Sequence, residues 1–129
     1  MTTMITVRDV LNRKGRTVWS IHPGDSVYRA LEIMSERHIG ALVVTEDDRL
    51  VGVVSERDYA RKIALRGLSS REAKVADIMT KHVFCITPWA RIEDCMALMT
   101  EKSVRHLPVV DGDRLDGMIS IGDVVKATI

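Results

Sequence analysis

The chain repeats itself, and this repeat constrains the fold more than any other feature of the sequence. Shifted by 65 positions, the 129-residue sequence aligns Ser20–Arg61 with Cys85–Lys126 without a gap. A flanking segment repeats too, since Val7–Leu11 resembles Val75–Met79. Self-similar chains are built from copies of one supersecondary unit. The aligned positions that are identical number twelve: Ile21/Ile86, Pro23/Pro88, Met34/Met99, Glu36/Glu101, Leu42/Leu107, Val44/Val109, Asp48/Asp113, Arg49/Arg114, Leu50/Leu115, Gly52/Gly117, Ser55/Ser120 and Asp58/Asp123.

Each repeat is predicted to have the element order β-α-β-β-α. The first strand is followed by a helix whose apolar residues recur at i, i+3, i+4 and i+7. Two apolar strands come next, and the short polar turn between them requires an antiparallel pair. A second helix is expected to begin at Ser55 or Ser120, and Gly67 is expected to end the one in the first copy. The predicted strands are Thr17–Ile21, Ala41–Thr45 and Leu50–Val54 in the first copy, and Val83–Ile86, Leu107–Val110 and Leu115–Ile119 in the second.

These elements place the chain in the mixed α/β (α+β) class. Residues 1–65 are expected to form the first repeat with its N-terminal segment, 66–74 a linker, and 75–129 the second repeat. Units of about 60 residues are marginal alone. The two repeats are therefore expected to pack on each other about a pseudo-twofold axis and to form one module.

Composition excludes several classes of function. The chain has 19 basic and 18 acidic residues, a net charge of +1, and 4% aromatic residues. Such a surface has no field suited to nucleic acid or to an anionic membrane. No apolar run is long enough to span a bilayer, and Met1–Asn12 lacks the apolar region of a signal peptide. A cytoplasmic protein is therefore expected. Its two cysteines do not make a disulfide scaffold, and its four histidines lack metal-ligand spacing.

The motif with the most chemical content is Gly-h-h-Ser-x-x-Asp, where h is apolar. It occurs at Gly52–Asp58 and at Gly117–Asp123, each time where a strand is predicted to turn into a helix. A helix N-terminus offers N–H groups and partial positive charge to a phosphate, and a carboxylate one turn later can accept hydrogen bonds from a ribose diol. Ser-x-x-Asp is equally a variant of the capping box, which needs no ligand. Both interpretations stand at this stage.

Taken together, the tandem units, Leu-x-x-Met at Leu31–Met34 (Met96–Met99 in the second copy), the stretch Arg105–Val110 and the duplicated Gly-h-h-Ser-x-x-Asp resemble a pair of cystathionine-β-synthase (CBS) motifs, the Bateman module. The resemblance covers the chain from about Val7 to Lys126. It implies a disc-shaped module with two clefts between its halves. It also implies a ligand, which would be AMP, ADP or ATP, or else NAD(H) or S-adenosylmethionine.

The resemblance implies that each cleft is composite. One repeat would supply residues around its first strand and after its first helix, which hold adenine. The other repeat would supply Ser-x-x-Asp, which holds ribose and phosphate. One cleft would then use His22, Ile39, Gly40 and Ala41 with Ser120, Gly122 and Asp123. The other would use Thr87, Val104, Arg105 and His106 with Ser55, Arg57 and Asp58.

The two implied clefts differ in charge. Arg57 stands where the second copy has Gly122, and Arg105 and His106 stand where the first has Gly40 and Ala41. The Asp58 cleft is therefore expected to suit a phosphorylated ligand better. The alternative is that Arg57 and Arg105 are solvated surface charges.

The expected function is a regulatory module for energy or redox sensing that catalyses nothing. It would act on an unknown protein partner, or on its own oligomer, through a ligand-driven change of shape. The alternatives are a small nucleotide hydrolase, for which His106 beside Arg105 is the one conceivable acid–base pair, and a purely structural dimerisation unit. A homodimer is expected because the apolar stripes that contain Val27 and Ile92 exceed what one module can cover.

Overall fold

The computed structural model describes residues 5–129. The N-terminal part of the predicted first repeat, residues 1–4, lies outside the described residues. The elements confirm the mixed class and the tandem repeat. In chain order they are α1 (Val7–Lys14), β1 (Ser20–Ile21), α2 (Val27–Arg37), β2 (Ala41–Glu46), β3 (Arg49–Ser55), α3 (Glu56–Tyr59) with a π-helical turn (Ala60–Ala64), α4 (Val75–Ile78), α5 (Ile92–Lys102), β4 (His106–Asp111), β5 (Arg114–Ser120) and α6 (Ile121–Ala127).

The chain folds into two compact units that do not follow its linear order. One unit is Trp19–Val83, and the other combines the described residues up to Val18 with Phe84–Ile129. Helix α1 therefore packs with the second repeat although it precedes the first. Helix α4, which precedes the second repeat, packs with the first. The sequence-based division into 1–65, 66–74 and 75–129 describes the repeats along the chain, and packing assigns each flanking helix to the other repeat.

The unit of the first repeat is built on a three-stranded sheet in the order β1-β2-β3. Strand β1 runs parallel to β2, and β2 runs antiparallel to β3. The first strand is shorter than predicted, since it covers Ser20–Ile21 rather than Thr17–Ile21. Helices α2 and α4 cover this sheet. The buried core of the unit consists of Ile21, Val27, Ala30, Met34, Leu42, Val44, Val54, Ile63, Val75 and Ile78.

The unit of the second repeat has a two-stranded sheet, in which β4 and β5 are antiparallel. The strand predicted at Val83–Ile86 was wrong in extent, because the segment pairs with β4 through one parallel bridge at Ile86. Pro108 accounts for the difference. In the first repeat Val43 N–H donates to the carbonyl of Trp19, and Pro108, which takes the place of Val43, has no N–H to donate. The core of this unit is Val7, Val10, Leu11, Ile92, Cys95, Met99, Leu107, Val109, Ile119 and Val124.

The helix ends agree with the predictions made from local motifs. Ser55 and Ser120 are the N-caps of α3 and α6. Beyond the π-helical turn, Leu68 N–H donates to the carbonyl of Ile63 and Gly67 N–H to that of Ala64. Gly67 has φ of 67°. This is the Schellman arrangement, which favours glycine at the left-handed position, and it confirms Gly67 as the end of the first repeat's last helix.

Candidate functional site: two capped Ser-x-x-Asp turns

Both Ser-x-x-Asp sequences form complete capping boxes. Ser55 Oγ accepts from Asp58 N–H at 3.2 Å, and Ser55 N–H donates to Asp58 Oδ2 at 2.9 Å. The same two bonds, with the same lengths, join Ser120 and Asp123. The capping interpretation of the motif is therefore confirmed in both repeats. A carboxylate has about four lone-pair sites, so a cap does not exclude a second role for either aspartate.

The first N–H groups of these helices have protein partners. Glu56 N–H donates to the carbonyl of Gly40 at 3.0 Å, and Ile121 N–H donates to that of Arg105 at 2.9 Å. Since the third N–H of each helix is bonded to the serine hydroxyl, two N–H groups at each helix start are already used. Fewer N–H groups are therefore left for a phosphate than the helix start alone offers, and phosphate binding at these turns stays a prediction.

Within each unit, strand pairing brings the start of the second strand beside the cap. Ala41 is the register partner of Ser55, and His106 is the register partner of Ser120. Gly40 and Arg105 directly precede these positions. Their carbonyls accept the hydrogen bonds from Glu56 N–H and Ile121 N–H. The combination of residues from different repeats, which the resemblance implies for each cleft, stays a prediction.

Asp58 is partnered by a lysine on its own helical segment. Lys62 Nζ lies 3.0 Å from Asp58 Oδ1 and also donates to the carbonyl of Ile78 at 2.7 Å. The Asp58 side chain is 14% exposed and that of Lys62 is 38% exposed. The lysine thus ties the first capping carboxylate to the end of α4. Lys62 was not among the predicted site residues, although a lysine four residues after an aspartate forms a recognisable helical ion pair.

Asp123 is partnered by a lysine from the far end of the sequence. Lys14 Nζ, at the end of α1, lies 2.7 Å from Asp123 Oδ2 and donates to the carbonyl of Met118 at 2.8 Å. Burial by itself raises the pKa of Asp123. The hydrogen bonds from Lys14 and from the Ser120 backbone, with the charge of Lys14, outweigh burial, so the pKa lies below its ordinary value. No local pattern signals this pair, because 109 positions separate the two residues.

The cations beside the two aspartates are more evenly distributed than the sequence suggested. Arg57 is partly buried and Arg105 is exposed, so only Arg105 has the exposure of a solvated surface charge. Each aspartate has its own lysine. In addition, Arg13 and Lys126 line a cavity that Asp123 also lines. Asp123 thus has three cations nearby, Arg13, Lys14 and Lys126. The prediction from the sequence placed Arg57, Arg105 and His106 beside Asp58 and no cation beside Asp123.

His22 is held in a local turn. Its Nδ1 accepts from Gly24 N–H at 2.9 Å, its own N–H donates to Asp25 Oδ2 at 3.1 Å, and its Nε2 lies 3.5 Å from Glu46 Oε2. An Nδ1 acceptor places the proton of the neutral ring on Nε2. The ring is 58% exposed and can still meet a ligand. Of the other predicted adenine contacts, Ile39, Gly40, Thr87, Val104 and His106 are partly buried and Ala41 is buried.

Two other kinds of site are absent from residues 5–129. No three His, Cys, Asp or Glu side chains in this part of the chain are grouped so that they could hold a metal ion. No helix there is long and apolar enough to cross a membrane. The candidate site residues form two separate turns, one in each unit. Each turn contains a capped aspartate, the lysine paired with it and the strand start beside it.

Comparison with known proteins assigns the family. The model of the CBS domain matches the chain twice, at residues 7–65 and 75–129. The chain belongs to the CBS-domain family. The two matches coincide with the repeats found in the sequence, so the β-α-β-β-α unit is one CBS domain. Pairs of CBS domains are regulatory modules.

Solved and curated CBS proteins resemble the chain over most of its length. A putative signal-transduction protein with CBS domains from Burkholderia ambifaria is 48% identical, with a TM-score of 0.94 over 96% of this chain and 93% of that one. The mitochondrial CBS domain-containing protein CBSX3 of Arabidopsis thaliana is 40% identical over 96% of this chain. The chain spans 65% of that relative's length, and 35% and 14% of two further curated relatives.

A more distant structure contains ligands. The CBS domain pair of protein MJ0100 was solved in complex with 5′-methylthioadenosine and S-adenosyl-L-methionine. It is 21% identical to this chain, with a TM-score of 0.86 over 98% of this chain and 97% of that one. At this identity the likeness shows the shared CBS fold.

Proposed function

We propose that this CBS pair binds an adenine nucleotide and acts as a regulatory module through a ligand-dependent change of shape. The observation that carries the proposal is the pair of matched, part-buried carboxylates, Asp58 and Asp123, each held by the same cap beside the start of a strand. The cap bonds and the lysine bond use two sites on Asp123 and three on Asp58. Acceptor capacity for a ribose diol remains on both.

The neighbour MJ0100 supports the ligand class. Both molecules in its complex, 5′-methylthioadenosine and S-adenosyl-L-methionine, carry adenosine. An adenosine ligand presents a flat base and a ribose diol, which match an apolar strand edge and a carboxylate. For the present chain we propose AMP, ADP or ATP as the ligand, with NAD(H) and S-adenosylmethionine as further adenosine compounds to be tested.

The proposed ligand residues form the two sets that the resemblance to CBS pairs implies. One set is His22, Ile39, Gly40, Ala41, Ser120, Gly122 and Asp123, and the other is Thr87, Val104, Arg105, His106, Ser55, Arg57 and Asp58. In each set the aspartate is proposed to bind the ribose and the apolar residues to contact adenine. The first set gains Lys14 and the second gains Lys62 as cations beside the carboxylate.

A thermal-shift panel tests the function directly. A ligand that binds the native state raises stability by about 2.7 kcal/mol at a concentration one hundred times its Kd. AMP, ADP, ATP, NAD(H) and S-adenosylmethionine are compared with GMP and with free ribose 5-phosphate. A shift with the adenosine compounds and none with GMP is expected. Failure of every adenosine compound at millimolar concentration contradicts the proposal.

We also propose that the module is a homodimer, but through a different surface from the one expected. Val27 and Ile92 are each 1% exposed and belong to the cores of their own units, so they cannot form the contact. The exposed apolar side chains on α5 and α6 are Met96, Ile121 and Val125, which are 43%, 47% and 48% exposed. Sedimentation of wild-type protein and of Val125→Glu tests this face. A dimer that survives the charged variant excludes it.

A further inference from the structure

A small cavity lies between α1 and α6, next to the Asp123 carboxylate. Its volume is about 120 Å³. One liquid water occupies about 30 Å³, so the cavity has room for roughly four waters or for the phosphoryl end of a ligand. Its lining consists of Val10, Arg13, Lys14, Asp123, Lys126 and Ala127.

The cavity carries a surplus of positive charge. Arg13, Lys14 and Lys126 supply three positive charges and Asp123 supplies one negative charge, which leaves two. Asp123 is committed to Lys14, whose Nζ is held between this carboxylate and the carbonyl of Met118. The surplus therefore resides on Lys126 and on Arg13, which also interacts with Asp9 one turn earlier on α1. Two cations that line an open space beside an already paired carboxylate suit a multiply charged anion.

A purely structural explanation accounts for part of this arrangement. Arg13 and Lys14 stand in the last turn of α1, and Lys126 stands in the last turn of α6. Cations in a last turn stabilise the helix dipole. The dipole does not account for the convergence of both helix ends on one cavity that also includes the proposed ribose carboxylate. The two explanations differ in what the cations do to ligand affinity.

We propose that Arg13 and Lys126 form a polyphosphate subsite for a nucleotide whose ribose is bound at Asp123. This inference rests on the proposed function and deepens it, since it names the ligand class of this site as a nucleoside di- or triphosphate. Arginine binds phosphate oxygens through paired N–H donors, and lysine adds a point charge. With the ribose at Asp123, ADP and ATP bring more phosphate groups to Arg13 and Lys126 than adenosine or AMP does. Affinity at this site is therefore expected to rise with the number of phosphates.

Calorimetric titration of the full chain with adenosine, AMP, ADP and ATP, without divalent cations, tests the subsite. The variants are Arg13→Gln and Lys126→Gln. The control is Arg8→Gln, which removes an exposed cation from α1 outside the cavity. Wild type is expected to bind ATP about tenfold more tightly than AMP. Each variant is expected to lose roughly fivefold for ATP and to keep its affinity for adenosine. Inorganic tripolyphosphate serves as a probe without base or ribose.

The outcomes separate this inference from the proposed function. Equal affinities for adenosine, AMP and ATP in wild type, or equal ATP losses in Arg8→Gln and Lys126→Gln, overturn the subsite and leave adenine binding intact. Tripolyphosphate binding that is lost in Lys126→Gln, with no binding of any nucleotide, shows an anion site at these cations but overturns both the nucleotide function and the nucleotide subsite. Altered melting temperatures in both variants with unchanged ATP affinity assign the cations to the helix dipoles and overturn the subsite.

Discussion

Leu11 lies directly over Gly117. A Cβ built on Gly117 would stand 2.8 Å from Leu11 Cδ2 and 3.1 Å from Leu11 Cδ1. The same contact occurs in the first repeat, where a Cβ on Gly52 would stand 2.8 Å from Met79 Sδ and 3.0 Å from the carbonyl oxygen of Thr80. The first glycine of each Gly-h-h-Ser-x-x-Asp motif therefore leaves room for the flanking helix of its own unit. Gly117 faces α1, and Gly52 faces the end of α4. Ligand approach is not needed to explain it.

Gly117→Ala is expected to destabilise the protein by about 1–3 kcal/mol, the usual cost of overpacking. Leu11 is 1% exposed, so its side chain has little space into which it can shift. Urea denaturation measures the change. Gly122→Ala is the control within the same motif, because its Cβ would meet nothing closer than Ser120 Oγ at 3.6 Å. That variant should be neutral or more stable, since alanine is a better helix former than glycine. In a Leu11→Ala background the cost of Gly117→Ala should shrink; an unchanged cost contradicts the contact.

Asp58→Ala separates the cap from the proposed ribose site. Loss of the cap should lower the free energy of unfolding by about 1 kcal/mol. Loss of a ribose contact should in addition weaken AMP binding by roughly 1.5–3 kcal/mol, the scale of a hydrogen bond to a charged group. Asp58→Asn keeps an acceptor for the cap and removes the charge, so it should impair binding more than folding. Denaturant melts and calorimetric titration of both variants provide the two readouts. Unchanged AMP affinity in Asp58→Ala leaves Asp58 as a cap and nothing more.

Lys14→Gln should change the pH dependence of stability. The pKa of Asp123 is lowered in the folded protein. Its stabilising contribution is therefore present above the unfolded value of about 3.9 and is lost as pH falls through the lower folded pKa. Without Lys14, only the hydrogen bonds from Ser120 counteract the burial that raises the pKa of Asp123. The variant should be less stable than wild type by about 1 kcal/mol at pH 7, a figure that allows for the exposure of Lys14.

The deficit of Lys14→Gln should shrink as pH falls from about 3.9 towards the lower folded pKa of Asp123, because the stabilisation by the ion pair is lost over that range. Melting temperatures between pH 3 and pH 8 measure it. Arg16→Gln is the control, because Arg16 bonds to the Asn12 side chain and pairs with no carboxylate among residues 5–129. A deficit of equal size at pH 3 and pH 7 shows that the ion pair with Asp123 does not stabilise the fold.

The two thiols should differ in reactivity. Burial, followed by the nearby charge of Asp94, raises the pKa of Cys95 to about 11, and its side chain is 0% exposed. Cys85 is exposed. At pH 8 a disulfide reagent such as DTNB should modify one thiol in the native protein and two in urea. Cys85→Ser should abolish the native reaction. Rapid modification of both thiols in the folded state contradicts the burial of Cys95.

Local features of the fold could be predicted from the sequence because their bonds span few residues. The helix starts at Ser55 and Ser120 follow from hydrogen bonds between positions three apart, and the hairpins follow from a short turn between two apolar runs. The same local patterns predicted too long a first strand in both repeats. Val83–Ile86 has a strand-like pattern, but a strand needs a partner with donors, and Pro108 on the neighbouring strand removes one of them.

The sequence by itself determined that there are two similar repeats, the order of helices and strands in each, and the helix starts at Ser55 and Ser120. Only the tertiary structure decided that α1 packs with the second repeat and α4 with the first. It also decided that Lys14 meets Asp123 across 109 positions. Val7–Leu11 and Val75–Met79 have equivalent patterns, so periodicity and propensity do not distinguish their partners. That choice depends on how each apolar helix packs against a glycine distant in the sequence, and this contact exists only in the folded unit.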